Sequence, residues 1–537
     1  MAVRVCVIGA GLTGLMALKN LKEDGFEVTA FEKKPYVGGI WKPTQDSSLS
    51  VTPSTVLNTS RFRSSISDFP FPEEVDDFPT SEQIHRYLES YADHFELRPH
   101  IQLDAEVKDL RRADDKWEVE VLVNGTQTIV QRFDKILSAT GLFAGPKYPK
   151  QSLAGAENFK GSVIHAIDFS DGSRYQNQNV LLVGLHATAT DMVKELAGNA
   201  RKVYIAHRSG VILAPRYTPD GRTFDYDMNL RFVAFQVFAD KWFPNLLNAF
   251  LDRVLKSMSK KAFPHQPKEW SLSPAQSVAV SLPLVADELY AFLNTGFATP
   301  VPNTRKVVGP KSIELTDGRV LEDIDAIVYC TGYEFAVPLM PPEYNPYPIV
   351  GEAPMLYQNI FPLHPDPAVR NSLAFVGQGV TSFIGLVQYE LEVMAISQIW
   401  QGRSVLPSLS EMKKWREDNV KAMKRLLAYH RHEGTFYVVI LPIHSFLTWL
   451  DRTAGTGIFD HFGWFKWRGW KLWWNEPKLY QMCLGGVFSP TIWRLFDMGR
   501  RKPWGGARKQ LLEDNRIADE RCEKRLRAMK EESRKNI

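Results

Sequence analysis

Residues Val3 to Asn20, VRVCVIGAGLTGLMALKN, constrain the fold more than any other stretch of this chain. Val3, Val5, Cys6, Val7 and Ile8 form a near-continuous apolar run, the pattern of a parallel strand covered on both faces. Gly9, Gly11 and Gly14 follow as GxGxxG, and Leu15, Leu18 and Leu21 then give a helix one apolar stripe. In such a turn the first glycine makes the tight bend, the second lets the backbone approach a pyrophosphate, and the third lets helix and strand pack closely. The helix start supplies free N–H groups to the phosphates. A strand, a glycine turn, a helix and a second strand in this order predict a dinucleotide-binding unit.

The second strand, around Val28, Ala30 and Phe31, ends at Glu32. An acid at this distance from the last glycine hydrogen-bonds ribose hydroxyls and repels a 2′-phosphate, so the first unit is expected to take FAD or NAD and not NADP. Gly38, Gly39 and Trp41 follow in a turn that can bring backbone donors and a flat indole to the cofactor.

The same grammar returns at Asn179. Val180 to Val183 read as a strand, residues 184 to 189 (GLHATA) as a turn, and the segment from about Thr190 to Leu196 as a helix. After the next strand, Val203 to Ala206, His207 and Arg208 occupy the place of the acid. Arginine accepts a 2′-phosphate, so this unit is expected to bind NADPH. His186 stands where the second glycine would be and Ala189 where the third would be.

Two strand-like segments ending in small residues, Ile136 to Gly141 and Ala326 to Tyr333, read as crossings between the two units. The expected fold is α/β, with two Rossmann-like domains and the NADPH domain inserted into the FAD domain. Residues 1–158 form the first FAD part, 159–324 the NADPH domain with a mainly helical insertion at about 216–293, and 325–537 the second FAD part with an aromatic and helical C-terminal region.

Within the insertion, Phe243, Leu246, Leu247, Phe250, Leu251, Val254, Leu255 and Met258 repeat at helical spacing beside Arg253, Lys256, Lys260 and Lys261. This is either a helix packed on the core or an interfacial helix. Phe436 to Trp474 are rich in aromatic residues, with Trp449, Trp464, Trp467, Trp470, Trp473 and Trp474 interleaved with basic ones. Core and lid packing or contact with lipid headgroups would both use such a cluster. No stretch reaches the roughly 18 apolar residues of a membrane span. The end of the chain, from about Leu511 to Lys535, reads as a solvated charged helix.

Composition removes several function classes. With 65 basic and 61 acidic side chains the charge is nearly balanced, which gives no argument for nucleic acid. Cys6, Cys330, Cys483 and Cys522 match neither a zinc spacing nor a disulfide framework, which fits a reducing compartment. A core strand beginning at Val3 leaves no room for a secretory leader. The expected location is cytoplasmic, peripheral on the cytosolic face of a membrane at most; a homodimer is compatible with the sequence.

An FAD unit followed by an NADPH unit resembles the class B flavin monooxygenases. Phe159-Lys160-Gly161-Ser162-Val163-Ile164-His165-Ala166-Ile167-Asp168-Phe169 is similar to that family's FxGxxxHxxx(F/Y) pattern. Related Baeyer–Villiger enzymes usually carry Trp at the place of Phe169, so the chain looks more like the flavin-containing monooxygenases that oxygenate nitrogen and sulfur. Further matches are Leu57-Asn58-Thr59-Ser60, Asp68-Phe69-Pro70-Phe71-Pro72, Cys330-Thr331-Gly332-Tyr333, Phe375-Val376-Gly377 and Trp504-Gly505-Gly506-Ala507-Arg508.

The resemblance implies an enzyme in which NADPH reduces FAD, O₂ forms a flavin hydroperoxide, and a small-molecule nitrogen or sulfur nucleophile is oxygenated. It makes Asn58 the active-site amide and gives His165 a domain-linking role. To the cofactor set of Gly9, Gly11, Gly14, Glu32, Gly39, Trp41, Gly184 and Arg208 it adds Val107, Thr140, Thr188, Thr331 and Gly332. Two alternatives stay open: a Baeyer–Villiger enzyme acting on a ketone, and a non-catalytic FAD-binding protein in which His186 impairs NADPH binding.

Overall fold

The computed structural model describes residues 2–44, 48–149, 153–381, 384–430, 439–463 and 466–535. Phe436 and Trp464 of the aromatic region lie outside them. The chain begins with β1 (Arg4–Ile8), α1 (Leu12–Glu23) and β2 (Glu27–Phe31), followed by α2 (Ser81–His94), β3 (Ile101–Gln102) and β4 (Lys135–Ser138). Then come β5 (Ser162–His165), β6 (Asn179–Val183), α3 (Ala187–Leu196) and β7 (Lys202–His207). The insertion carries α4 (Leu230–Trp242) and α5 (Pro244–Ala262), after which β8 (Ala298–Pro302), β9 (Ala326–Tyr329), β10 (Leu373–Phe375) and α6 (Val387–Trp400) return to the two cores. The C-terminal region is helical, with α7 (Leu409–His430), α8 (Ile443–Ala454), α9 (Trp467–Asn475), α10 (Pro477–Gly485) and α11 (Ala507–Lys535).

Two five-stranded parallel sheets result, in the orders β10-β4-β1-β2-β3 and β8-β7-β6-β9-β5. Each is doubly wound, and the second interrupts the first in sequence, which is the α/β arrangement of two Rossmann-like domains. The apolar runs of β1 and β6 are central in their sheets and buried from the second residue onward. A three-stranded antiparallel sheet, Ala105–Ala113, Lys116–Val123 and Gln127–Phe133, covers one side of the first sheet and buries one face, as its alternating burial requires. Helix α6 is buried almost all round and lies between α1 and α8.

Two expectations are corrected. The boundary at 325 falls too early, because β9 hydrogen-bonds between β6 and β5 inside the second sheet. The chain leaves that sheet only at Cys330 to Gly332. Secondly, α11 is solvated over only part of its surface. Ala507, Leu511, Asp514, Ile517 and Ala518 are buried on one side. Further along, Arg521 donates to Asp77 Oδ1 at 3.0 Å and to the Val75 carbonyl at 2.9 Å, while Arg525 pairs with Asp77 and lies 3.8 Å over the Tyr217 ring. A weak apolar stripe is thus completed by arginines that reach a buried carboxylate 5% exposed, a partnership across the chain that periodicity cannot reveal.

Candidate functional site: two nucleotide turns and the hairpin between them

The first turn is closed by contacts that only glycine permits. Gly9 has φ +101° and donates its N–H to the Phe31 carbonyl at 2.8 Å, and a Cβ there would lie 2.8 Å from the Ala139 carbonyl oxygen. A Cβ on Gly14 would overlap the Gly9 carbonyl. Gly11 and Gly39 stand back to back, with a Cβ on Gly39 3.0 Å from the Gly11 Cα, and Gly38 N–H donates to the Ala10 carbonyl at 2.9 Å. This leaves a cradle of bare backbone at the start of α1, whose N-cap Gly11 has no side-chain partner. Such a cradle suits a pyrophosphate.

Glu32 ties the cradle together. It is 7% exposed; Oε2 accepts from Ala10 N–H at 2.8 Å and Oε1 from Lys34 N–H at 2.9 Å. Trp41 ends the short 3₁₀ turn from Gly39 and is half-buried against the central core. Thr140 follows Ala139 directly and is exposed. The residues fit an FAD: the cradle would hold its pyrophosphate, and the acid would meet its ribose. Val107 departs from this set in one respect. Its side chain is buried with Ile8 and Phe31, so only its main chain is left for a cofactor.

The second turn repeats the geometry with one glycine. Gly184 N–H donates to the Ala206 carbonyl at 2.8 Å, and a Cβ there would overlap the Cys330 carbonyl. His186 is the N-cap of α3 in extended conformation, and its ring does not cap the helix; Nε2 lies 3.2 Å from the Leu282 carbonyl oxygen in the insertion. The first N–H groups of α3, with Thr188 in its first turn, therefore keep no side-chain cap. The expected basic pair reduces to one residue. His207 is buried, its ring nitrogens 3.2 Å and 2.9 Å from the Ser209 and Trp270 carbonyl oxygens, and burial holds its pKa below the usual histidine value. Arg208 alone is exposed at the end of β7.

Thr331 and Gly332 lie at the crossing. The Thr331 hydroxyl donates to the Lys147 carbonyl, Lys147 N–H donates to the Gly332 carbonyl at 3.0 Å, and His165 Nε2 reaches that carbonyl at 3.1 Å. His165 Nδ1 accepts from Ile167 N–H at 3.1 Å, so the proton sits on Nε2. Burial lowers its pKa, which keeps the ring neutral.

A model of the family described as flavin-binding monooxygenase-like matches residues 2–536. The chain belongs to that family. Within it, the chain is 32% identical over 527 residues to a protein named monooxygenase aurF from Gibberella zeae, covering 95% of this chain and 97% of the relative. It is 26% identical over 521 residues to human flavin-containing monooxygenase 3, covering 95% and 92%. Among solved structures, S-allyl-L-cysteine S-oxygenase from Allium sativum matches with TM-score 0.59 and 19% identity, covering 90% of this chain and 95% of that one. Cyclohexanone monooxygenase matches with TM-score 0.60 and 18% identity, covering 86% and 99%. This flavin-binding monooxygenase is an FAD- and NADPH-dependent oxidoreductase with the two-domain fold described above.

In this monooxygenase Asn58 sits on an exposed bend ahead of the short helix Arg61–Ser64. Its amide has no hydrogen-bond partner among the described residues. Both flanks of the bend are held by the second domain. On one side Thr55 Oγ1 donates to Asp191 at 2.8 Å, Ser54 N–H donates to Glu195 at 3.0 Å, and Lys194 Nζ donates to the Ser54 carbonyl, all on α3. On the other side Ser60 N–H donates to Asp225 at 2.8 Å and Arg63 donates to the Met228 carbonyl, both in the insertion. Burial pushes the Asp191 carboxyl up to about 6, against the lowering effect of the Thr55 hydroxyl.

Sequence reasoning missed Thr55, Asp191 and Asp225, whose partners lie more than a hundred residues away. It also missed Glu392, fully buried on α6, which accepts from Gly377 N–H at 2.8 Å and from Gln388 at 2.8 Å. Burial pushes its carboxyl up to about 8. Glu392 left a local signal, one of two acids among the apolar residues of that helix.

Proposed function

We propose that this chain transfers one oxygen atom of O₂ to a soft nitrogen or sulfur nucleophile of a small molecule, with NADPH as the electron source. The observation that carries this reading is the Asn58 bend: an unpartnered carboxamide belonging to the FAD domain, gripped on both flanks by the NADPH domain and its insertion. Bound FAD, once reduced by NADPH, supplies the oxygen-activating chemistry. The chain positions and shields. The glycine cradle and Glu32 orient the flavin nucleotide, Arg208 receives the 2′-phosphate of NADPH, and Asn58 offers donors and an acceptor to the groups that meet at the domain junction. A soft nucleophile needs no proton abstracted before it reacts, so no acid–base pair is required of the protein.

Phe169, where related Baeyer–Villiger enzymes carry Trp, favours nitrogen or sulfur over a ketone; it stacks on Tyr175 with centroids 5.5 Å apart. The uncapped start of α3 supports NADPH binding despite His186.

The test combines stopped-flow flavin reduction with product analysis on a sulfide, a tertiary amine and a ketone. NADPH should bleach the bound FAD and yield the sulfoxide or N-oxide. Asn58→Ala should keep flavin reduction but release hydrogen peroxide, with product yield down at least about tenfold. Wild-type yields from Asn58→Ala, or oxidation of the ketone alone, would overturn the reading.

A further inference from the structure

Helix α6 carries two fully buried acids two residues apart, and they serve different parts of the fold. Glu390 accepts from Ser67 N–H at 3.0 Å and from the Ser67 hydroxyl at 2.8 Å, with Lys19 and Arg494 nearby. Glu392 has no cation paired with it among the described residues. Its Oε2 accepts from Gly377 N–H at 2.8 Å and its Oε1 from the Gln388 amide at 2.8 Å. A buried acid without a counter-ion is tolerated only when hydrogen bonds satisfy it, and a satisfied network rigidifies what it touches.

This network touches the chain that leaves β10, residues 377–381. The Gln388 amide that bonds Glu392 also donates to the Gly379 carbonyl at 2.7 Å. Its oxygen accepts from Thr381 N–H at 2.8 Å and from the Thr381 hydroxyl at 2.7 Å. Glu392 and Gln388 thus hold Gly377, Gly379 and Thr381 from the side of α6. Gln378 is fixed separately: Asn359 donates to its carbonyl at 2.9 Å, Tyr347 OH donates to its Oε1 at 2.9 Å, and its Nε2 donates to the Gly141 carbonyl at 3.0 Å.

The place of this segment in the first sheet gives it a use. The strand order is β10-β4-β1-β2-β3, and ligands of such sheets lie along the carboxyl ends of the strands. Glu32 at the end of β2 and the glycine turn at the end of β1 suit the ribose and pyrophosphate of FAD. The ends of β4 and β10 lie on the other side of β1, where the rest of the cofactor has room to extend. They also adjoin the cradle. Gly377 has φ +79°, and a Cβ there would stand 3.5 Å from Thr13 Cγ2 in the first turn of α1.

We infer that Glu392 is a positioning residue for the flavin half of FAD: through Gly377 and Gln388 it sets segment 377–381 as the wall that continues the pyrophosphate cradle. The inference rests on the FAD dependence of the chain and not on which nucleophile is oxygenated.

The test compares Glu392→Ala, Gln388→Ala and Glu390→Gln with wild type in two readings besides turnover. These are the visible circular dichroism of the flavin in the holoprotein and FAD affinity by fluorescence titration of the flavin-stripped protein. Glu392→Ala should bind FAD at least about tenfold more weakly and alter the visible bands of the flavin that stays bound. Gln388→Ala leaves the acid in place and should alter the same bands, so it carries the test where Glu392→Ala does not fold. Glu390→Gln should lower the thermal midpoint yet keep wild-type bands and an affinity within about twofold of wild type, because its partner Ser67 belongs to another segment. Two results would overturn the inference. One is wild-type bands and affinity in the folded Glu392 and Gln388 variants. The other is a change in Glu390→Gln as large as theirs, which would make the packing of α6 as a whole the cause.

Discussion

Replacing Glu32 by Gln preserves volume and removes one acceptor. Both carboxylate oxygens are engaged in the native protein, Oε2 by Ala10 N–H at 2.8 Å and Oε1 by Lys34 N–H at 2.9 Å, in a site 7% exposed. Whichever way the amide turns, one backbone N–H faces an NH₂ group. Hydrogen bonds to a charged group contribute roughly 1.5–3 kcal/mol, a neutral replacement about 1, and a buried unsatisfied donor costs about 1–3. The net loss is about 3 kcal/mol, or roughly 150-fold in an equilibrium constant. Ala10 belongs to the glycine turn and Lys34 leads into the loop carrying Gly38 and Gly39, so both walls of the cradle relax together. The loss therefore divides between apoprotein stability and FAD affinity. Denaturant unfolding of the apoprotein and FAD titration by flavin fluorescence measure the two parts. Glu32→Asp keeps the charge on a shorter arm and should lose about half as much, because it can reach only one of the two donors. A combined loss below about 0.5 kcal/mol for Glu32→Gln, the size of an ordinary surface change, would refute the role assigned to this carboxylate.

Arg208→Ala should raise KM for NADPH by about tenfold to a hundredfold while leaving NADH nearly unchanged, since a phosphate hydrogen bond to arginine contributes roughly 1.5–3 kcal/mol; an unchanged preference between the two cofactors in steady-state assays would contradict it. Thr55→Val removes the hydroxyl that Asp191 accepts and loosens one flank of the Asn58 bend. The ratio of hydrogen peroxide to oxygenated product should rise several-fold, in line with about 1–2 kcal/mol of lost positioning. Asp191→Asn, which still accepts from Thr55, should be milder than Asp191→Ala. His165 has a folded pKa below its unfolded value near 6.5, so the stability it contributes is present at neutral pH and lost as pH falls below 6.5, by up to about 1.4 kcal/mol per pH unit. His165→Gln removes that proton uptake and should narrow the gap between thermal midpoints at pH 7 and pH 5.5; an equal gap in both proteins would argue against it.

Much of the candidate site is legible because its signals are local. The glycine turn, the acid after β2 and the basic residue after β7 each lie within one strand–helix–strand unit, where spacing along the chain determines position in space. The apolar period over Pro244–Ala262 likewise announces a helix, although not which part of its wide apolar arc is covered. Exposure of Phe243, Leu246 and Phe250 depends on what the rest of the chain leaves unpacked. Arg208 and His207 are adjacent, yet one is exposed and the other turned inward onto carbonyls, a difference of strand facing that composition does not reveal.

By itself, then, the sequence determined two Rossmann-like units and the FAD and NADPH dependence of the chain, and it proposed the residues that serve each cofactor. The tertiary structure alone decided how the units meet. Thr55 and Asp191 are 136 residues apart, Ser60 and Asp225 are 165 apart, and their hydrogen bonds hold the Asn58 bend between domains. Arg521 and Arg525 reach Asp77 across nearly the whole chain. The physical reason is that a turn or helix is specified by neighbours a few residues away, whereas a buried polar contact depends on which surfaces the fold brings together.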